Sequence, residues 1–147
     1  MLPDEKNDLL YLLNILEFIG KIWKYTAKTN DAEEFFELNE QMNLNASLTL
    51  LANIGENSSK ISENLKKQYS EIEWQSLKSF RNRVVHNYAG LDLVIVYEII
   101  TNDLKVLKFD IEKIITEKLS EKIFEIEELK ICKDSNFYKY IDFDNII

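Results

Sequence analysis

The chain has 147 residues, long enough to bury a real core as one domain. It is 46% hydrophobic and 30% charged, as soluble globular proteins are, and its net charge of −8 excludes a bulk basic nucleic-acid footprint while leaving room for a local basic site. Three glycines and one proline punctuate too little for strands and tight turns, so the expected class is all-α.

Met1-Leu2-Pro3-Asp4-Glu5 lacks the basic and apolar regions of a secretory leader. No apolar run approaches the roughly 18 residues of a membrane span. A cytoplasmic chain without a membrane segment is expected. Asp4 follows Pro3 and can cap a first helix, in which Leu9, Leu12, Leu13, Leu16, Ile19 and Trp23 form one apolar stripe. The stripe stops near Lys28-Thr29-Asn30. Asp31-Ala32-Glu33-Glu34 has capping-box spacing and opens a second helical region, with a break expected around residues 39–43. Leu44, Leu48, Leu51 and Ile54 or Gly55 resume the stripe, followed by Ile61 and Leu65. Gly55 inside a helix costs about 1 kcal/mol relative to alanine. It marks either close helix packing or a kink.

Ser70-Glu71-Ile72-Glu73 repeats the capping-box spacing and is expected to open a third helix. Trp74, Leu77, Phe80 or Arg81, Val84 and Tyr88 would face inward, with Val85 beside Val84 as a second anchor and Gly90 at the end. Asp92 then caps a long fourth helix striped by Leu93, Val96, Ile100, Leu104, Leu107, Ile111 and Ile114. It either runs past Glu121 or breaks near it. Glu33-Glu34 and Glu127-Glu128 read as solvated helix faces, and Trp23 and Trp74 as core. The tail from Cys132 to Ile147 is aromatic and acidic without a clear period: a short helix, or a segment docked on a partner. The lone Cys132 reads as a small hydrophobe, and without Cys/His clusters no structural zinc site is expected. The sum is an antiparallel four-helix bundle in one domain over residues 1–147, with a core of about 4–117 and a C-terminal helical extension of about 118–147.

One stretch carries chemistry. Ser79-Phe80-Arg81-Asn82-Arg83-Val84-Val85-His86-Asn87-Tyr88 holds the chain's only histidine and both of its arginines. On a helix, Asn82 and His86 share a face, and Arg83 neighbours His86 on the other side. Arg81 lies about 140° round from His86. Either the helix is distorted there, or the two groups meet over a cleft shared with another surface. These residue types suit cleavage of RNA. An unperturbed imidazole titrates near about 6.5 and can take a proton from a ribose 2′-OH or give one to the leaving 5′-oxygen. An arginine fork holds the phosphate and stabilises charge on the phosphorane. The nucleophile lies in the RNA, so neither a metal nor a protein nucleophile is required. One histidine cannot readily serve both sides of the phosphorus, so two copies of the motif facing one groove would do this best. The absence of a Gly-rich phosphate loop argues against ATP binding by the chain itself, and no cofactor is expected.

Arg81-Asn82-Arg83-Val84-Val85-His86 resembles the Arg-polar-x-x-x-His signature of the HEPN superfamily. Asn87-Tyr88 extends it to the ending of the HepT-like toxin branch. Ile54-Gly55-Glu56, Ile72-Glu73-Trp74 and Tyr88-Ala89-Gly90-Leu91-Asp92 are similar to flanking stretches of that branch. The likeness runs over about residues 5–117. It implies a homodimeric, α-helical ribonuclease toxin with Arg81 and His86 as the catalytic pair and Asn82 as their polar support. Lys78, Arg81 and Arg83 of two protomers would then make a local basic patch for RNA. The resemblance further implies a nucleotidyltransferase antitoxin that transfers AMP from ATP to Tyr88, the arrangement of a type VII toxin–antitoxin pair. The rival expectation is a HEPN bundle without nuclease activity that serves as the helical partner of a nucleotidyltransferase.

Overall fold

The computed structural model describes residues 3–147, and side chains from Asp8 onward; the Asp4 cap lies outside the described side chains. The helices are α1 (Pro3–Thr26), α2 (Ala32–Glu37), α3 (Met42–Lys60), α4 (Glu63–Gln68), α5 (Trp74–His86), α6 (Leu93–Glu98), α7 (Leu104–Ser120) and α8 (Ile126–Lys133). α6 and α7 are joined through a π-helical stretch, Ile99–Asp103, into one long rod. Among the described residues there are no strands. α1 packs along α3 and α7, and α3 along α5.

The directions follow from bonds between helices. Asn43 Nδ2 donates to the Tyr25 carbonyl at 2.9 Å, Asn14 Nδ2 to Asn57 Oδ1 at 3.0 Å, and Ser62 Oγ to Asp8 at 2.6 Å. Later residues of α1 thus pair with earlier residues of α3, so the two run antiparallel. The apolar stripes supply the core. Leu9, Leu12, Leu13, Leu16 and Ile19 are buried, as are Leu44, Leu48, Leu51 and Ile54, and Val96, Ile100, Leu104, Leu107, Ile111 and Ile114. Trp23 sits at the edge of this core, and its indole N–H donates to the Ile100 carbonyl in the π-helical turn at 2.9 Å.

The local signals held unevenly. Asp31 caps α2, accepting from the Glu34 amide at 2.8 Å, while the Glu34 carboxylate reaches the amide of Asn30, one residue before the expected one. The break before α3 falls at Asn39, Glu40 and Gln41, whose φ values of 50°, 57° and 71° are left-handed. The turn is held by a side-chain relay: Asn39 Nδ2 donates to Asn43 Oδ1 at 2.9 Å, and Asn43 Nδ2 donates to the Tyr25 carbonyl. Asp92 caps α6, accepting from the amides of Val94 and Ile95. The box expected at Ser70–Glu73 does not form. α5 begins at Trp74, after Glu73, which makes no side-chain cap. Burial of Ile72 and the Trp74 indole bond to the Tyr69 carbonyl (3.1 Å) shape this turn instead.

α7 ends at Ser120, before Lys122, whose φ is 62°. The tail then folds onto its own chain. α8 buries Leu129 and Cys132, and Phe143 and Ile146 join the core beyond it. Glu17, fully buried on α1, accepts from the backbone amides of Lys139 and Tyr140 at 2.8 and 2.7 Å. Tyr138 donates to Asn14 at 2.7 Å, and Lys108 bridges to Asp142 at 2.8 Å. Tyr140 lies so close to Gly20 that a Cβ there would come within 2.4 Å of it.

Burial first, then the nearby Cys132 and Glu17, push the Tyr138 hydroxyl up to about 12. The folded state therefore keeps this proton when the unfolded chain, titrating near about 10, has lost it. Stability from this group is full below about pH 10 and lost as pH rises toward 12. Tyr138→Phe should lower the melting temperature at pH 7 by a few degrees, about 1 kcal/mol for the lost bond. It should also make the alkaline decline less steep, as melts at pH 7 and across pH 9–11 would reveal.

Candidate active site

α5 carries the site because its inner side is thin. Val84 is buried in the motif region, with Leu77 and Phe80 packed at the core margin. Val85, expected as a second anchor, is 52% exposed. What holds α5 is α3. Gly55 lets the two backbones approach so closely that an added Cβ would sit 2.5 Å from Arg81 Cβ and 2.6 Å from the Leu77 carbonyl oxygen. The glycine marks close packing, not a kink: α3 runs on as one helix to Lys60.

That approach puts Glu56 beside Arg81. Glu56 Oε2 pairs with Arg81 Nε at 3.2 Å, and Arg81 Nη1 donates to Asn82 Oδ1 at 3.0 Å. Two of the five guanidinium N–H groups are thus engaged. His86 is the last residue of α5 and is exposed, with no hydrogen bond or ion pair to Arg81 or Asn82 among the described residues. The five-residue spacing is realised as an undistorted helix, so α5 by itself does not bring the two groups together. Asn82, Arg83 and Lys78 are exposed, and neither Lys78 nor Arg83 is ion-paired among the described residues.

The helix stops earlier than Gly90. The amide of Asn87 caps onto the Arg83 carbonyl at 2.8 Å, and Tyr88–Gly90 forms a short 3-10 turn. A Cβ at Gly90 would meet only the end of the exposed Asn87 side chain, at 2.6 Å, which can turn away. Tyr88, expected to face inward, is 46% exposed. Its hydroxyl donates to Asn45 Oδ1 on α3, and burial raises its pKa above the ordinary phenol value. The bonds Asn45–Tyr88 and Glu56–Arg81 fix α3 and α5 as antiparallel. They also make α3 the second wall of the site. Asn45 carries no signal in the sequence, and Glu56 appears there only within the family-like stretch Ile54-Gly55-Glu56, with no role; Gly55, which sets the register, leads to both.

On another side of α5 lies a groove of about 420 Å³ against the π-helical stretch and α7, with Leu51 and Ile54 of α3 also lining it. Leu77, Phe80, Ile99, Leu104 and Val106 make its apolar walls, and Glu71, Glu73, Asp103 and Asp110 its acidic rim. Burial, then Glu71, push the Asp110 carboxyl above its usual range. Val94, Ile95, Val106 and Phe109 are exposed on α6 and α7. No helix among the described residues is long and apolar enough to cross a membrane.

Residues 15–114 match the family described as Ribonuclease HepT-like, which takes in α5 and its motif but not the tail. Among similar proteins, one named "Putative RNase MJ0125" from Methanocaldococcus jannaschii is 32% identical over 112 residues, 76% of this chain and 93% of the relative. "Probable ribonuclease HepT" from Thermococcus cleftensis is 30% identical over 104 residues, 71% of this chain and 92% of the relative. No solved structure matches the chain. A family match over most of the chain, on an antiparallel all-α bundle with an Arg-Asn-x-x-x-His segment ending its α5 helix, places it: the chain belongs to the HepT-like ribonuclease family of the HEPN superfamily.

Proposed function

We propose that this protein is the toxin of a type VII toxin–antitoxin pair, an endoribonuclease that works through Arg81 and His86 without a metal. The observation that carries the reading is the placement of the chain's only histidine and both arginines on the last two turns of one exposed helix end, in a chain of a ribonuclease family. In the reaction the ribose 2′-oxygen bonds to phosphorus as the bond to the 5′-oxygen breaks. The 2′-OH gives up one proton and the 5′-oxygen gains one, leaving a 2′,3′-cyclic phosphate and a 5′-hydroxyl. His86 moves a proton, Arg81 holds the phosphoryl oxygens, and Asn82 steadies the arginine. Lys78 and Arg83 attract the RNA backbone against the overall negative charge.

One imidazole serves one proton. The reading therefore includes a homodimer in which two motifs face one cleft, and the exposed apolar residues of α6 and α7 are consistent with an uncovered face. The antitoxin is a nucleotidyltransferase. In its step the Tyr88 oxygen bonds to the α-phosphorus of ATP, pyrophosphate leaves, and the phenolic proton passes to a base on the antitoxin. A phenol held protonated needs that base. The appended adenylate brings bulk and negative charge beside His86, which repels RNA. A second reading, a nuclease-inactive helical partner of the same antitoxin, draws on the lack of contact between Arg81 and His86.

Expression tests the two. The toxin reading expects growth arrest by the wild-type chain alone, none with His86→Ala, and relief on co-expression of a neighbouring nucleotidyltransferase. It also expects a mass increase of one or more AMP units that Tyr88→Phe abolishes. No arrest and no mass change on co-expression would contradict it.

A further inference from the structure

We propose that Glu56 is the positioning residue of the site: it orients the Arg81 guanidinium so that its free edge meets the RNA phosphate. The inference rests on the ribonuclease reading and adds to it a residue on a different helix.

Three observations converge. Gly55 removes the Cβ that would hold α3 and α5 apart, and the residue after it is the one that reaches Arg81. Glu56 takes Nε, the inner N–H of the fork, at 3.2 Å, while Asn82 takes one Nη1–H at 3.0 Å. Among the described residues, the guanidinium has no partner beyond Glu56 and Asn82, so both Nη2–H groups and the second Nη1–H form the edge that binds a phosphate through two parallel bonds. An arginine anchored at Nε cannot swing about its long side chain, so little freedom is lost when phosphate arrives. The pair is also partly solvent-exposed, 34% for Arg81 and 44% for Glu56, so it adds little to stability. Its consequence is orientation. The Glu56 carboxylate would repel RNA if it stood alone, and its pairing with Arg81 removes that cost while the outer fork stays free.

Asn82 alone would not suffice. It is the chain neighbour of Arg81 on the same helix, whereas Glu56 is held by α3 and gives the guanidinium a fixed point outside α5.

The test compares wild type, Glu56→Gln, Glu56→Ala, Arg81→Ala and the double variant Glu56→Ala/Arg81→Ala. Each is assayed for kcat and KM on RNA and for thermal melting. Because the chain has two arginines, nitrogen-15 NMR offers two Nε–H signals, and Arg81→Ala assigns them. Glu56→Ala should lower kcat about 10- to 100-fold with an unchanged melting temperature. Glu56→Gln, which keeps an acceptor for Nε, should stay within about fivefold of wild type. The double variant should be no slower than Arg81→Ala, because Glu56 acts only through the arginine. The Arg81 Nε–H should exchange slowly in wild type and fast in Glu56→Ala, with Arg83 unchanged. Wild-type kcat in Glu56→Ala, a double variant slower than Arg81→Ala, or an unaltered Arg81 signal would each overturn the proposal. A wild-type protein that cuts no RNA yet shows the Glu56-dependent Arg81 signal would overturn the ribonuclease reading and the RNA role of Glu56, and leave the anchor itself standing.

Discussion

His86→Ala is expected to lower RNA cleavage by about 10²- to 10⁴-fold, the range supplied by a positioned proton-transfer group. The protein should otherwise be unchanged. His86 is exposed and makes no hydrogen bond among the described residues, so its loss should alter stability by no more than about 0.5 kcal/mol. Arg81→Ala should cost about 10²- to 10³-fold, as loss of a group that stabilises developing negative charge does. Arg81→Lys should restore little, since an ammonium cannot engage Glu56, Asn82 and a phosphate through one planar fork. Lys78→Ala and Arg83→Ala should act differently. Both are exposed and make no ion pair among the described residues, so each substitution should raise KM and flatten the salt dependence while leaving kcat nearly intact. Initial rates in EDTA over a range of salt concentrations separate the two groups. Equal rates for wild type and His86→Ala would remove His86 from the mechanism.

Gly55→Ala is expected to have the largest structural effect of any single methyl addition at the site. The new Cβ would lie 2.5 Å from Arg81 Cβ and 2.6 Å from the Leu77 carbonyl oxygen. These atoms belong to or adjoin the α5 backbone, so no rotamer change relieves the contact. α3 and α5 must part, at about 1–3 kcal/mol, despite the roughly 1 kcal/mol that alanine contributes to helix propensity. Parting also draws Glu56 away from Arg81 and Asn45 from Tyr88. Cleavage should fall with stability, and a denaturation midpoint together with initial rates checks both. A more stable, fully active Gly55→Ala would contradict the close-packing account.

The helices were largely legible because their apolar residues recur at three- and four-residue steps over long runs. Leu9 to Ile19 on α1 and Leu104 to Ile114 on α7 are buried as their spacing demands. The caps at Asp31 and Asp92 formed because each had an open helix start within reach. Ser70–Glu73 carried the same local signal, yet α5 starts at Trp74, in a turn where Ile72 is buried and the Trp74 indole bonds to Tyr69. Tertiary burial outweighed local capping there. The extension was expected to be helical and α8 is, but its docking onto α1 was illegible for a related reason. Its fold depends on Glu17 accepting two amides more than 120 residues away, a pairing no periodicity encodes. At the site, the sequence pointed to one segment of one helix. On α3 it marked only the family-like stretch Ile54-Gly55-Glu56, without a role, because Glu56 and Asn45 acquire meaning only when Gly55 sets the two helices in register.

If Arg81 and His86 cleave RNA by activating its own 2′-hydroxyl, the ends left by the cut record it. The most direct test is the end-group chemistry of the cut. Purified protein is incubated in EDTA with a defined RNA and with the same strand carrying 2′-deoxyribose at the cleavage position. Expected are a 2′,3′-cyclic phosphate and a 5′-hydroxyl from the RNA, no cut in the deoxy strand, and neither product with His86→Ala. Cleavage of the deoxy strand, a 3′-hydroxyl with a 5′-phosphate, or undiminished cutting by His86→Ala would contradict it.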